Sequence, residues 1–532
     1  MCAIDSMSIS GLEGLPVGHS RVFETEDDQP TGTGVQPLGR RAALIAGATT
    51  LGAVALGSRL AFASGGSFVL TDPLTNNTCI LPSGDITGKT DATNINQALA
   101  ANLNGQNVVL AAGRFYVNAP IIIPPGGVLK GQFANENTRL SNHAWGSCIS
   151  AVATWAPTSV PGGAVNAVLA CVGANAGGYP TPGQESKVYG VMIDCAELPR
   201  SLTNVDGLQI FGDMSRPHLE RVLVAYAPQH GFNMVNDSTG SGPDAAHLER
   251  VNVRYPTRVG FNHIRISDCT YYDCLCENAG GDGFYIQNGS NSVWTACRSE
   301  HNGGNGYTYD CTNPNTGSGG VRLVGCSSDR NEAHGIFITS TNGSGVPLVL
   351  SGCAFRRDGA QKNAGGGPFA GITVSLYPGS VLVSGCNVWP GVDDNSHGVP
   401  SPNHGMRLFQ NTSRTRVIVG SSYIQGAKDF LSDDGTTPDV RWGTDVVGAF
   451  GTTSSPTLRQ PRMGHAVLSG GSARVDCSCV NENSIIQLTH GFTNGGTPGI
   501  LRVSVRTPGS SFVVTSSSSN DQSGFDWQIM NP

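Results

Sequence analysis

Residues 269–287 read CTYYDCLCENAGGDGFYIQ, residues 294–310 read WTACRSEHNGGNGYTYD, and residues 324–340 read VGCSSDRNEAHGIFITS. The three stretches align on the glycine that opens the last apolar run of each, Gly283, Gly306 and Gly335. Nine positions before each glycine stands a cysteine (Cys274, Cys297, Cys326), and six before it an acid (Glu277, Glu300, Asp329). One and three positions after it stand apolar or aromatic residues: Phe284 and Ile286, Tyr307 and Tyr309, Ile336 and Ile338. Equal phase in successive segments marks a repeat architecture.

The frame extends in both directions, through Gly207, Gly231 and Gly260 upstream and Gly371 and Gly405 downstream, with spacings of 24, 29, 23, 23, 29, 36 and 34 residues. Each repeat holds two or three short runs of alternating polarity, separated by Gly, Asn, Asp and Ser. The repeats are too short for βαβ units and show no helical periodicity. Coils of short parallel strands, stacked about 4.8 Å apart, satisfy the pattern. The expected fold is all-β, a right-handed parallel β-helix with a capping helix and a small C-terminal β-sandwich.

The chain has 532 residues, 72 of them glycine, with 13% charged residues and a net charge of −7. That is enough chain for one solenoid and an accessory domain. No run of basic residues is present, which argues against nucleic acid and mildly against a strongly acidic polymer. Among the 15 cysteines, Cys274, Cys297, Cys326, Cys353 and Cys386 end strand-like runs and are expected as an inward column of free thiols. Neither a CxxC pair nor any other spacing suggests a metal site or a cofactor.

Residues 1–63 end in Arg40-Arg41, an apolar run and Ala61-Phe62-Ala63. They resemble a twin-arginine export signal with a long n-region, so a secreted protein is expected, with no membrane association after cleavage. An uncleaved anchor or a phage leader is the alternative. Residues 64–435 are expected to form the β-helix, 436–462 a linker and 463–532 the β-sandwich module.

Residues 84–132, GDITGKTDATNINQALAANLNGQNVVLAAGRFYVNAPIIIPPGGVLKGQ, carry a Gly-Asp segment and a short helix with Asp91 as its cap and Ile95, Leu99 and Leu103 as its buried face. The strands VVLAA, FYV and VLKG follow. This entry, followed by coils, resembles the pectate-lyase superfamily, which includes glycoside hydrolases, polysaccharide lyases and tail spikes. The resemblance implies the solenoid and a polysaccharide as partner. Residues 495–529, GGTPGILRVSVRTPGSSFVVTSSSSNDQSGFDWQI, resemble a module at the C-termini of actinobacterial phage tail proteins. That implies a virion tail location and a homotrimer as the competing reading.

Chemistry is expected where equal phase lines up side chains on one face. The row six before the glycine is Arg254, Glu277, Glu300 and Asp329, with acids on neighbouring coils at the spacing a glycosidase pair needs. Mutual repulsion would raise one of them toward general-acid duty. The row one before the glycine holds Asp206, His230, Asp282, Asn305 and His334, of which Asp282 and His334 are candidate acid and base. His301 and Arg330 flank the first row, and Tyr285 and Phe337 are candidate sugar platforms. The same residue types also serve ordinary turns as inert backbone ligands. Asp282 in Gly281-Asp282-Gly283 and His334-Gly335 only partly match the polygalacturonase pattern, which has a double aspartate and Gly-His-Gly. A calcium-dependent lyase would need an aspartate cluster with a base, for which Asp268, Asp273 and Arg265 are the nearest approximation. The functions expected are a secreted glycoside hydrolase or polysaccharide lyase, a tail spike or fibre that binds host glycan, or a surface protein that only adheres.

Overall fold

The structure is a computed structural model. It describes residues 59–62, 68–71 and 77–530, leaving aside 103–105, 133–145, 161–162, 174–184, 237–241, 312–319, 341–344, 360–366, 393–399, 412–413, 434–438, 443–446, 449–462, 478–479 and 493–494. Among the described residues, three long sheets account for most strands: sheet A with 15, sheet B with 12 and sheet C with 11. One coil visits A, then B, then C, as in Thr270–Tyr272, Leu275–Glu277 and Phe284–Gln287. The next coil repeats the visit with Val293–Thr295, Arg298–Glu300 and Tyr307–Asp310, each strand parallel to and in register with its predecessor. The fold is a right-handed parallel β-helix, the hand that parallel crossover connections take.

Period-2 alternation decides which residues face inward. In sheet C, Phe284, Ile286, Tyr307, Tyr309, Ile336 and Ile338 are all buried. Identical phase places rings on rings: Phe261, Phe284 and Tyr307 stack at 4.5 and 5.0 Å, and Tyr271 on Trp294 at 4.6 Å with the planes 1° apart. Cys274, Cys297, Cys326, Cys353 and Cys386 form the expected inward column, and each thiol donates to strand carbonyls. The five cysteines of this column are free thiols.

The aligned glycines stack on one another, Phe232, Phe261, Phe284 and Tyr307 donating their N–H groups to the carbonyls of Gly260, Gly283, Gly306 and Gly335. Space, not φ, demands them. A Cβ on Gly231, Gly260, Gly283 or Gly306 would lie 2.0–2.2 Å from the inward side chain of sheet B, respectively Val253, Cys276, Ser299 and Ser328. The coil is pinched shut at this corner.

At the N-terminal end a helix, α1 (Lys89–Ala101), buries Ile95 and Leu99 against the first coils. Asp91 does not cap it. The helix begins two residues earlier, and Asp91 is buried, accepting the N–H groups of Ser83 and Tyr116. Asp85 instead gathers Thr87 and Thr90 at the helix entry. Upstream, Arg59–Phe62 pairs antiparallel with Phe68–Thr71, so the sequence around Ala61 extends sheet A. The rest of the expected signal segment, and most of the expected linker, lie outside the described residues. Coiling also runs past residue 435: Asp439–Trp442 joins sheet A and Val447–Gly448 joins sheet B, so the first part of 436–462 winds with the solenoid. Two three-stranded antiparallel sheets between Met463 and Met530 close on Phe512, Phe525, Trp527 and Ile529 as a β-sandwich.

A buried amide ladder runs inside the coils. Asn302 donates to Asn331, and Asn331 to Asp358, whose Oδ1 also accepts from Ser328. Burial, with the Asp329 charge nearby, pushes the Asp358 carboxyl up to about 7. A raised carboxyl favours folding in its protonated state, so its contribution declines as pH rises from about 4 through 7. Asp358→Asn should therefore gain melting temperature relative to the wild type as pH increases from 5 to 8, measured by calorimetry. Gly306→Ala should cost about 1–3 kcal/mol by overpacking, read as a lower denaturation midpoint.

Candidate functional site

From Asn252 to Trp389 the sheet B strands are three residues long, with the middle side chain inward. Pairing places Arg254, Glu277, Glu300, Asp329, Arg356 and Trp389 in one outward row. The chain then turns the B–C corner through residues in the left-handed region: Tyr226, Tyr255, Asn278, His301, Arg330 and Arg357, with φ of 54–61°. Each of the first five donates its backbone N–H to a carbonyl of the following coil, so the corner is itself a ladder.

The row brings the predicted acids together in sequence order, but their charge partners are arginines instead of one another. Arg254 Nε lies 3.2 Å from Glu277 Oε2, and Arg298 Nη1 lies 3.8 Å from Glu300 Oε1. Both glutamates keep more than a quarter of their side-chain surface exposed, at 27% and 29%. Asp329 is different. Arg357 donates from Nε to Oδ1 at 2.8 Å and from Nη2 to Oδ2, while Arg356 Nη2 approaches Oδ2 at 2.9 Å. With 7% of its side chain exposed, Asp329 is the hub of an ion-pair network, and its expected catalytic role is withdrawn. His301 Nε2 lies 3.0 Å from Arg330 Nη1, tying the corner ladder together.

The second row, at the entry to sheet C, is a chain of hydrogen bonds. Asp282 accepts the N–H of Asn305 at 2.7 Å and the hydroxyl of Thr308 at 2.7 Å, and Asn305 accepts the N–H of His334 at 3.0 Å. Asp282 and His334 stand two coils apart in this row, with Asn305 between them. His334 Nδ1 accepts the Ala370 N–H at 3.0 Å and contacts Thr373 Oγ1 at 2.9 Å. Burial lowers its imidazole to about 3. It is held neutral, and its Nδ1 lone pair is engaged by the Ala370 N–H. Asp206, at the head of the row, accepts from Gln209, Asn233 and the His230 N–H, and burial pushes its carboxyl up to about 6.

The two predicted platforms have neighbours within the protein. Phe337 lies on the His334 ring at 5.5 Å and 21°. Tyr285 donates its hydroxyl to Asp310 Oδ2 at 3.0 Å and accepts from Gln287, and burial with the neighbouring Asp310 raises its phenol. Asp310 was not anticipated, although it stands at a regular phase, four residues after Gly306.

The aspartates considered for calcium do not converge. Asp268 precedes and Asp273 follows the strand Thr270–Tyr272, so they lie at different corners, and Asp273 pairs with Arg250 at 3.4 Å. Among the described residues, no group of three or more His, Cys, Asp or Glu side chains is arranged to hold a metal ion.

Arg356 and Trp389 extend the sheet B row beyond the predicted residues. The signal was available. Counting three positions after the column cysteines Cys274, Cys297, Cys326, Cys353 and Cys386 gives Glu277, Glu300, Asp329, Arg356 and Trp389. Counting back from the glycines loses the last two, because insertions separate sheet B from sheet C in those coils.

Comparison with known proteins gives one family match, of residues 460–530 to the C-terminal domain of the K1 capsule-specific polysaccharide lyase. Among solved structures, the chain is similar to the mannuronan C-5 epimerase A-module of Azotobacter vinelandii (13% identity, 67% of this chain and 95% of that one, TM-score 0.41). It is also similar to the N-terminal fragment of bacteriophage Phi29 gene product 12 (14%, 67% and 64%, 0.47) and to the Dettilon tailspike protein (11%, 85% and 94%, 0.39).

Asp329→Ala, which strands Arg356 and Arg357 without their carboxylate, should destabilise the fold by about 3–5 kcal/mol. Thermal denaturation checks this, and an unchanged midpoint would restore Asp329 as a functional candidate. The β-sandwich at the end of the chain thus matches the C-terminal domain of a capsule lyase, and the solenoid before it carries an outward row of paired charges.

Proposed function

We propose that this protein binds a polysaccharide and cleaves its glycosidic bonds on the outward face of sheet B, acting outside the producing cell or on a virion tail. The observation that carries the reading is the in-register pair Glu277 and Glu300, part-exposed on neighbouring strands. The match of residues 460–530 to the C-terminal domain of a polysaccharide lyase supports the substrate class.

Strands one coil apart separate like positions by about 4.8 Å, near the 5–5.5 Å of a retaining carboxyl pair. In that role one glutamate attacks the anomeric carbon as the other protonates the departing oxygen. The second then takes a proton from the water that releases the glycosyl group. Elimination would use the same pair differently, one glutamate taking the proton beside a uronate carboxyl and the other protonating the leaving oxygen. Arg254 and Arg298 hold Glu277 and Glu300 in place from within the same face. Twin-arginine export belongs to the secreted form of this proposal, and a homotrimer to the virion form, for which the particle mass in light scattering is the check.

Glu300→Gln and Glu277→Gln should each lower depolymerisation by about 10²–10⁴-fold while leaving the melting temperature within a few degrees. Release of reducing ends without ultraviolet absorbance identifies hydrolysis, and absorbance from an unsaturated product identifies elimination. Full activity in both variants would remove the assignment.

A further inference from the structure

The five residues His-Leu-Glu-Arg-Val occur twice, at 218–222 and at 247–251. Winding lays the two copies on neighbouring strands of sheet A, His218 beside His247 and Glu220 beside Glu249. In each three-residue strand the leucine is buried and the histidine and glutamate are half-buried. Period-2 alternation thus turns His218, Glu220, His247 and Glu249 to the outside of one two-strand patch. The neighbours along the histidine row are Lys187 on one side and Thr270 on the other. Lys187 pairs with Glu185 at 3.0 Å.

The two imidazoles meet edge to face, with ring centroids 4.8 Å apart and planes at 88°. Tyr189 also packs on His218, at 5.4 Å. Burial, and then the closeness of His247, hold the His218 imidazole below its ordinary range, so at pH 7 it is neutral with a lone pair to offer. Its Nε2 is buried and has no hydrogen-bond partner among the described residues. A buried polar atom left in that condition costs free energy. An ion held about 2.0–2.1 Å from one nitrogen of each ring, with the two bonds between a right angle and a tetrahedral one, requires ring centroids roughly 5 Å apart. The observed spacing meets that requirement, so rotation of the rings, without separation of the strands, aims two nitrogens at one ion.

We propose that His218 and His247 bind one divalent transition-metal ion of the zinc, nickel or copper class, with Glu249 and water completing its shell. Imidazole nitrogen is a ligand those ions favour, whereas calcium and magnesium take oxygen. Each glutamate stands two residues beyond its histidine on the same face, about 7 Å along the strand, within reach of a flexible carboxylate arm. The duplicated arginines tell the two glutamates apart. Arg221 Nε lies 3.6 Å from Glu220 Oε1, whereas Arg250 turns to Asp273 at 3.4 Å, which leaves Glu249 as the better third ligand. Two imidazoles gathered by the winding define the site, not a preformed cluster of three ligands. The ion joins two neighbouring coils from outside and stabilises the folded chain by mass action.

The test uses the full chain, stripped with a chelator and titrated calorimetrically with zinc chloride at neutral pH. The chain has 12 histidines, so the variants carry the assignment. His218→Ala and His247→Ala should each weaken zinc binding on the order of tenfold or more, and the double variant no further, because either change alone breaks the chelate. Glu249→Gln should weaken it less. His465→Ala, which removes an exposed histidine paired with Asp526 in the β-sandwich, should leave it unchanged. Zinc should raise the melting temperature of the wild type and of His465→Ala but not of the His218 and His247 variants, and magnesium should raise none of them. Cobalt(II) supplies a readout apart from stability, a visible absorption band present in the wild type and lost in His247→Gln. No zinc binding, binding unchanged in His218→Ala and His247→Ala, binding lost in His465→Ala, or a His247→Gln variant that melts like the wild type in chelator and keeps the cobalt band would overturn the proposal.

Discussion

Every coil is closed by a backbone that comes too near the opposite wall to carry a side chain. The glycines from Gly207 to Gly405 stand where the chain enters sheet C, and the inward residue of sheet B fills the space a Cβ would need. Because this approach recurs once per coil, each strand is delivered to the same place above its predecessor, and register follows from sterics as much as from hydrogen bonding. Ring stacks, the amide ladder and the thiol column all follow from that delivery. So does the outward row of charges, which is a row only because the inside permits one stacking.

The outer faces of the solenoid have different characters for physical reasons. At the entry to sheet C, Asp206 and His334 are buried and Asp282 and Asn305 half-buried, and they accept from backbone N–H groups and neighbouring side chains. On sheet B the glutamates are part-exposed and paired with arginines that solvent also reaches, an arrangement that leaves them open to a ligand. The candidate chemistry therefore falls on the more exposed of the two networks.

Much of this was legible in the residues. The coil architecture, the inward alternation, the cysteine column and the alignment of Arg254, Glu277, Glu300 and Asp329 follow from counting positions from a glycine. Who pairs with whom did not follow. Asp329 looked equivalent to Glu300 by phase, yet it is enclosed because the next coil supplies Arg356 and Arg357, and an insertion of variable length hides that coil from a count based on Gly371. His334 looked like a base from its shared phase with Asp282, but the Ala370 N–H arrives from 36 residues away to occupy its Nδ1. The absence of a basic run was a statement about the chain as a string. Arginines separated by a full coil become neighbours only after winding, so net charge and local charge part company.

The column of five stacked thiols carries a consequence for how the molecule is made. Cys274, Cys297, Cys326, Cys353 and Cys386 are sealed inside one corner, each donating to a carbonyl of its own coil and all but Cys297 also to one of the preceding coil. Before winding, the same sulfurs are exposed on a loose chain, and any cross-link between non-adjacent members would fix the coils out of step. The solenoid must therefore be wound while its sulfur is reduced, and once wound it shields that sulfur from whatever oxidants it later meets.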